Sequence, residues 1–305
     1  MTVLLADRAG LVPADHAAAV TVVEPGPAST VQDLGRPGFA HLGITTSGGA
    51  DRSSLTLANR LVGNAAGAPV IESMFGGLTV SLSADRMIAV AGAPADLRID
   101  GRPVSEPRTL VRAGQQLHLG VSSWGLRTYL AVQGGIEAGL VFGSASADCL
   151  SGLGPRPLRP GDRLALGDAF GALPDVPLEL VTPRTEPGPL VLRFHWGPRD
   201  RLFSAADRAA FTTRQWAVSD SGDRVGVRIT GIPLTIGAVD LPSEGMTLGA
   251  VQVPPSGEPI VFLADHPVTG GYPVIGVVTE RDLDRLAQAR PGTAVRFSPL
   301  PRGGA

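Results

Sequence analysis

The apolar residues of this chain come in short runs set off by Gly, Pro, Asp or Ser: MIAVAGAP, ADLRIDGRPV, TYLAVQGGI, LVLRF, GVRITGIPL, GAVQVPP, IVFLAD and VIGVVT. Runs of that length, rich in β-branched residues and ended by turn formers, predict strands. Three segments repeat one device, RAGQQLHLG (112–120), RPGDRLALG (159–167) and RPGTAVRF (290–297), in which an Ala-Gly or Pro-Gly turn launches an alternating strand. Their spacing is irregular, so they mark recurrent strand entry and not a solenoid.

Helical patterns are few and short. In SGGADRSSLTLANRLVGN, Asp51 can cap, Leu55, Ala58, Leu61 and Val62 share a face, and Gly63 can close the end. In TERDLDRLAQARPG, Thr279 and Asp282 have capping-box spacing before Leu283, Leu286 and Ala287. A third helix is expected from Ser204 to about Thr213. The result is a mainly β chain with a few short helices, which favours barrels or sandwiches over a Rossmann sheet. Residues 168–190 are rich in Pro and poor in pattern. The expected division is an N-terminal extension (1–20), a first β domain (21–175), a linker (176–187), a second β domain (188–298) and a tail (299–305).

Composition narrows the chemistry. At 305 residues and 43% hydrophobic the chain exceeds what one core usually holds. Net charge is -2, without a basic stripe or polybasic anchor, so neither nucleic acid nor membrane is an expected partner. The N-terminus is a poor signal peptide because Asp7, Arg8 and Asp15 interrupt it, and a cytoplasmic protein is expected. One cysteine, Cys149, excludes an intramolecular disulfide and Cys-cluster metal sites. All 26 basic residues are arginine. That removes a biotinylated lysine, a Walker lysine and a Schiff-base lysine from this chain. No metal site is expected from the five scattered histidines, and His118, on an alternating strand, reads as a satisfied or solvent-facing residue.

Polar residues concentrate in two places. Residues 25–51, PGPASTVQDLGRPGFAHLGITTSGGAD, place Gln32, Asp33, Arg36 and Asp51 among glycines and prolines. Such a segment can turn its N–H groups to a ligand as a nest, with Arg36 forking onto a carboxylate or phosphate, or it can be a long surface loop held by side-chain turns. The second place is three polar turns between strands: SDSGDRVGVR, LPSEGMTLGAVQVPP and LADHPVTGGYPVIG. At the mouth of one barrel they would gather Asp223, Arg224, Glu244, Gln252, Asp265, His266, Thr269 and Tyr272. Asx turns and ion pairs are the alternative for each acid, and a hairpin closed at Gly270-Gly271 would explain the third turn alone.

PGPASTVQDLGRPGFAHLGITTSGGADRSSLTLANRLVGN, YLAVQGGI, LPSEGMTLGAVQVPPSGEPIVFLADHPVTGGYPVIG and LDRLAQARPGTAVRF closely resemble the allophanate hydrolase subunit 2, or KipA-like biotin-dependent carboxyltransferase, family over residues 20–298. Bacterial members of that family are largely named as the C subunit of 5-oxoprolinase. The resemblance implies two cyclophilin-like β-barrel domains. It also implies action with a KipI-like B subunit and a LamB/YcsF-like A subunit to hydrolyse 5-oxoproline to glutamate with ATP and Mg. Two alternatives follow: the carboxyltransferase part of a biotin-dependent urea or amide carboxylase, with biotin carried elsewhere, and a regulatory protein that binds a KipI-like histidine-kinase inhibitor. The chain departs from the family's Gly-Ser-Arg-Ser-Thr run, reading GSASAD with Ala145 and Ala147.

On this resemblance and the chemistry of lactam opening, Arg36 is expected on an anionic group and the Gly270 and Gly271 amides on an oxyanion. Asp265 or His266 would transfer protons, with Thr269 and Tyr272 as orienting donors and Glu244 beside them. Gln32, Asp33, Asp51, Asp223, Arg224 and Gln252 complete the expected binding set.

Overall fold

The computed structural model describes residues 18–175, 189–236 and 241–301. The expected linker at 176–187 lies outside the described residues, as do positions 1–17 of the expected extension. Residues 18–20 belong to the fold: Ala18, Ala19 and Val20 are buried, and Ala19 opens the first strand. By its contacts the chain divides into two compact units. One holds Met1–Arg36 and Ser47–Arg184, the other Pro37–Thr46 and Thr185–Ala305.

The first unit contains strands β1 (Ala19–Pro25), β2 (Ala28–Gln32), β3 (Val70–Met74), β4 (Leu78–Leu82), β5 (Arg86–Gly92), β6 (Leu97–Ile99), β7 (Arg102–Pro103), β8 (Arg108–Val111), β9 (Gln116–Leu119), β10 (Arg127–Val132), β11 (Ile136–Glu137) and β12 (Arg163–Leu166). Helix α1 (Arg52–Leu61) lies between β2 and β3. The strands form two sheets, β11-β12-β1-β4-β9-β6-β7 and β2-β3-β10-β5-β8. Val20, Val80 and Leu117 from the first sheet and Val31, Ile71 and Leu130 from the second fill one core. The unit is therefore a pair of sheets over a common core. Strand β10 is buried on both faces: Leu130 and Val132 enter that core, while Tyr129 and Ala131 meet Leu55, Ala58, Leu61 and Val62 of α1. Alternation of side chains along a strand requires that split.

Helix α1 begins where Asp51 accepts the Ser54 N–H at 2.9 Å and ends before Gly63, whose φ of 74° suits a residue without Cβ. The three repeated turns behave as the sequence implied. Gly114, Gly161 and Gly292 take φ of 82°, 86° and 83° before β9, β12 and a C-terminal strand.

The second unit contains β13 (Leu190–Trp196), α2 (Ala205–Thr213), β14 (Trp216–Val218), β15 (Gly226–Thr230), β16 (Glu244–Gly245), β17 (Ala250–Gln252), β18 (Ile260–Phe262), β19 (Thr269–Gly270), β20 (Val274–Val278), α3 (Glu280–Ala287) and β21 (Ala294–Pro299). Seven strands close as a barrel in the order β13-β20-β17-β18-β15-β14-β21, with β21 parallel to β13 at the seam. Aromatic side chains pack its interior: Phe211 stacks on Phe297 at 4.2 Å, and Phe194 meets Phe211 edge-on at 5.2 Å. Ser204 caps α2 by accepting the Asp207 N–H.

Two expectations change here. Strands β18 and β20 do not form a hairpin, because both pair with β17, on opposite sides. Residues 263–273 are thus a crossover, and Thr269–Gly270 instead pairs with Glu244–Gly245 in a separate ribbon. The Thr279/Asp282 capping box also does not close. Thr279 Oγ1 donates to Asp282 Oδ2, while that carboxylate accepts Arg193 N, Nε and Nη2 at 2.8, 2.8 and 2.9 Å, tying α3 to β13.

Candidate functional site

In the second unit the three polar turns do come together. Arg224 and Asp265 form a fork-to-fork pair, Nε to Oδ2 at 2.9 Å and Nη2 to Oδ1 at 3.1 Å, with Asp265 fully buried. The Asp265 N–H donates to the Arg224 carbonyl at 3.0 Å, so side chain and backbone join the turn before β15 to the crossover after β18. The ribbon fastens the third turn, since Met246 N–H donates to the Val268 carbonyl at 2.9 Å. Gln252 is buried beneath and donates through Nε2 to the Tyr272 carbonyl at 3.4 Å.

His266 is buried and follows Asp265 directly. Its Nδ1 lies 2.8 Å from the Pro267 carbonyl, which can only accept. Nδ1 therefore carries a proton and donates to that carbonyl. Thr269 and Tyr272 present exposed side chains, and nothing stands within 4 Å of a Cβ built on Gly271. A Cβ on Gly270 would lie 2.6 Å from Gln252 Nε2, so a larger residue there requires the Gln252 amide to shift. Thr45, from the Pro37–Thr46 segment that groups with this unit, donates to the Ala264 carbonyl at 3.3 Å.

Two predicted members have partners within the chain. Asp223 makes an Asx turn, accepting the Val225 and Gly226 N–H groups at 2.8 and 3.1 Å. Glu244 is paired with Arg199, whose Nε reaches Oε1 at 2.9 Å and whose Nη2 converges on the same oxygen. The Arg199 hydrogen bond holds the Glu244 carboxyl below its ordinary pKa. Sequence reading missed Arg199. It stands alone in GPRD after β13, with its partner in an irregular loop.

The first unit gathers Gln32, Asp33 and Arg36, but around the chain itself. Asp33 accepts Gly35 N–H, Ser144 Oγ, Ser146 Oγ and Ala145 N–H at 2.7, 2.6, 2.5 and 2.7 Å. Arg36, 1% exposed, donates to the Val141 and Ser146 carbonyls. Gln32 Nε2 and Ser47 Oγ both donate to the Ala147 carbonyl at 3.0 Å. Asp51 caps α1. The 25–51 segment is therefore not an open nest: its carboxylate and arginine hold the 141–147 loop, GSASAD included. Ala145 and Ala147 are buried against it. Arg36 thus commits Nε and Nη2 to the 141–147 loop, and an anion could reach only what remains of its guanidinium.

Behind this loop Tyr129 donates to Glu72 Oε2 at 2.8 Å and accepts the Asp51 N–H at 2.7 Å, while Ala50 N–H reaches the same Glu72 oxygen at 3.0 Å. Burial, then the neighbouring Glu72 and Asp51 charges, push the phenol well above its ordinary pKa, so it remains a donor. Among the described residues no group of three or more His, Cys, Asp or Glu could hold a metal, and no helix is long and apolar enough to cross a membrane.

These elements match a known arrangement. The family described as carboxyltransferase domain, subdomain A and B, matches residues 42–299. The chain belongs to this family. It is 38% identical over 285 residues to the 5-oxoprolinase C subunit of Escherichia coli (strain K12), covering 90% of this chain and 89% of that one. It is 34% identical to the 5-oxoprolinase C subunit of Haemophilus influenzae, with 88% and 87% covered. Among solved structures, TTHA0988 superposes with a TM-score of 0.83 at 37% identity, over 94% of this chain and 57% of that one. The K. lactis urea amidolyase superposes with a TM-score of 0.85 at 27% identity, over 94% of this chain and 19% of that one. The chain thus spans little more than half of the first solved relative and a fifth of the second.

Proposed function

We propose that this chain is the C subunit of a 5-oxoprolinase, opening the lactam of 5-oxoproline to glutamate as part of a complex with a KipI-like B subunit and a LamB/YcsF-like A subunit. The observation that carries the reading is the end-to-end match to the C subunit of E. coli 5-oxoprolinase, with about nine-tenths of both chains aligned. The second-unit site supplies matching chemistry. His266, whose Nδ1 faces the Pro267 carbonyl, takes a proton from the attacking water, whose oxygen bonds to the lactam carbonyl carbon. The same proton then passes to the ring nitrogen as the C–N bond breaks. Asp265, locked to Arg224, fixes the His266 backbone. The Gly271 backbone is open to the developing oxyanion.

ATP with Mg is the expected energy source, and no cradle for it stands out among the described residues. The chain has no lysine, the Asp33 loop spends its amides internally, and Asp51 takes the Ser54 N–H at the start of α1. We therefore assign nucleotide binding to the partner proteins. A mixture of this chain with its B and A partners should release ADP and glutamate in step when given 5-oxoproline. Absence of turnover by the assembled mixture would sink the reading. His266→Ala should lower kcat by about 100-fold or more without preventing assembly.

The likeness to urea amidolyase favours a second reading, transfer of carboxylate from a biotin carried by another chain to urea or an amide. Acceptance of carboxylate from free carboxybiotin, with no 5-oxoproline turnover, would select it.

A further inference from the structure

The substrate of the proposed reaction carries a carboxylate, and the site holds two arginines that differ in what they have left to give. Arg224 is nearly enclosed and matched fork to fork by Asp265. Arg199 is 39% exposed, and its partner Glu244 is 27% exposed. Both Arg199 donors that reach Glu244 converge on Oε1. A guanidinium has five N–H donors, so three of Arg199's have no partner among the described residues, and neither has Glu244 Oε2. The pairing is lopsided where a free carboxylate could bind with both oxygens.

The position also fits. Glu244 pairs in the ribbon with Gly270, between His266 and Tyr272 in sequence. Arg199 follows Gly197, whose N–H donates at 2.9 Å to the carbonyl of Ile275 in β20, the strand that the same crossover leads into.

We propose that Arg199 is the receptor for the substrate's carboxylate and that Glu244 is a resident stand-in which the substrate displaces. The inference rests on the 5-oxoprolinase reading and adds to it the residue that distinguishes an acidic lactam from a neutral one. Binding then exchanges one carboxylate for another on the same guanidinium. Affinity for 5-oxoproline is set by the difference between a one-oxygen and a two-oxygen contact, and Glu244 acts as a built-in competitor.

The test uses the reconstituted three-protein complex, with KM and kcat for 5-oxoproline and the inhibition constant of 5-oxoprolinamide, the same ring with a neutral amide. Arg199→Gln should raise KM for 5-oxoproline by about 10- to 100-fold with kcat changed little, while inhibition by the amide moves less than about twofold. Glu244→Gln, which removes the competitor and keeps the shape, should lower KM by about threefold or more. An equal loss for acid and amide would make Arg199 a structural residue and overturn the proposal. So would a KM that is unchanged or raised in Glu244→Gln, a variant that stays informative if the arginine variant fails to assemble. Wild-type complex inert toward 5-oxoproline would instead overturn the parent reading, and this inference with it.

Discussion

Asp265 and His266 are neighbours in sequence with opposite capacities. Asp265 has both oxygens committed to Arg224 in a buried fork, so its carboxylate is structural charge. Asp265→Asn should strand the Arg224 guanidinium, and we expect a stability loss of about 3–5 kcal/mol in denaturant titration. His266→Ala should leave the denaturation midpoint nearly unmoved while removing turnover. A large stability loss in the histidine variant, or none in the aspartate variant, would reverse these assignments. The sequence put both residues at the site because an acid, a histidine, a threonine and a tyrosine around Gly-Gly are costly to place after a buried strand without a use. It did not choose between them as the proposed base. That choice depends on the Pro267 carbonyl 2.8 Å from Nδ1, a contact that residue spacing does not encode. The loop contacts of Arg36 were hidden for a related reason: glycines on both sides suggest an open backbone, but two of its partners lie more than 100 residues away at Val141 and Ser146.

At the level of elements, local signals were reliable and neighbour relations were not. The caps at Asp51 and Ser204 and the turn glycines before β9, β12 and β21 are written in adjacent residues, so helices and strand entries were legible. Alternation identifies β18 and β20 as strands but is silent on β17 lying between them. The resulting ribbon gives a sharp contrast between adjacent glycines. Gly270→Ala should displace Gln252, 2.6 Å from the new Cβ, and impair turnover, whereas Gly271→Ala, with open space around it, should be tolerated in folding. Equal behaviour of the two would mean that the ribbon does not hold Gln252 in place. Helix α3 offers a pH test. Burial of Asp282 opposes ionisation most strongly, but the Arg193 side chain and N–H, with Thr279, outweigh it and hold the carboxyl below its ordinary pKa. A depressed folded pKa stabilises above the unfolded value and is lost as pH falls through the folded one. Stability should therefore decline on acidification below about pH 4, and Asp282→Asn should be less stable at neutral pH and show a shallower acid decline. A variant with the wild-type acid profile would exclude Asp282 as a source of that decline.

For the whole molecule, the expected two-part division rested on a Pro-rich stretch, but the units are not simple halves of the chain. Pro37–Thr46 groups with the second unit although both flanks of that segment belong to the first. No boundary signal marks this, because glycines and prolines at 35–38 look the same in a surface loop as in a segment that crosses between units. The consequence can be tested by cutting the chain. All seven barrel strands lie within Leu190–Pro299, and the main core of the second unit is drawn from Leu190 to Phe297, so closure needs nothing from the N-terminal half. What the N-terminal half supplies is Thr45 on the Ala264 carbonyl, immediately before Asp265. Residues 185–305 expressed alone should give a β-rich fragment with cooperative thermal unfolding, at a Tm below that of the full chain's second unit. Amide exchange should rise at Ala264–His266 while Val251, Val261 and Ile275 remain protected. A fragment that stays unfolded would show that the barrel core cannot stand by itself. Unchanged exchange at Ala264–His266 would show that the 37–46 segment merely rests on a site already ordered without it.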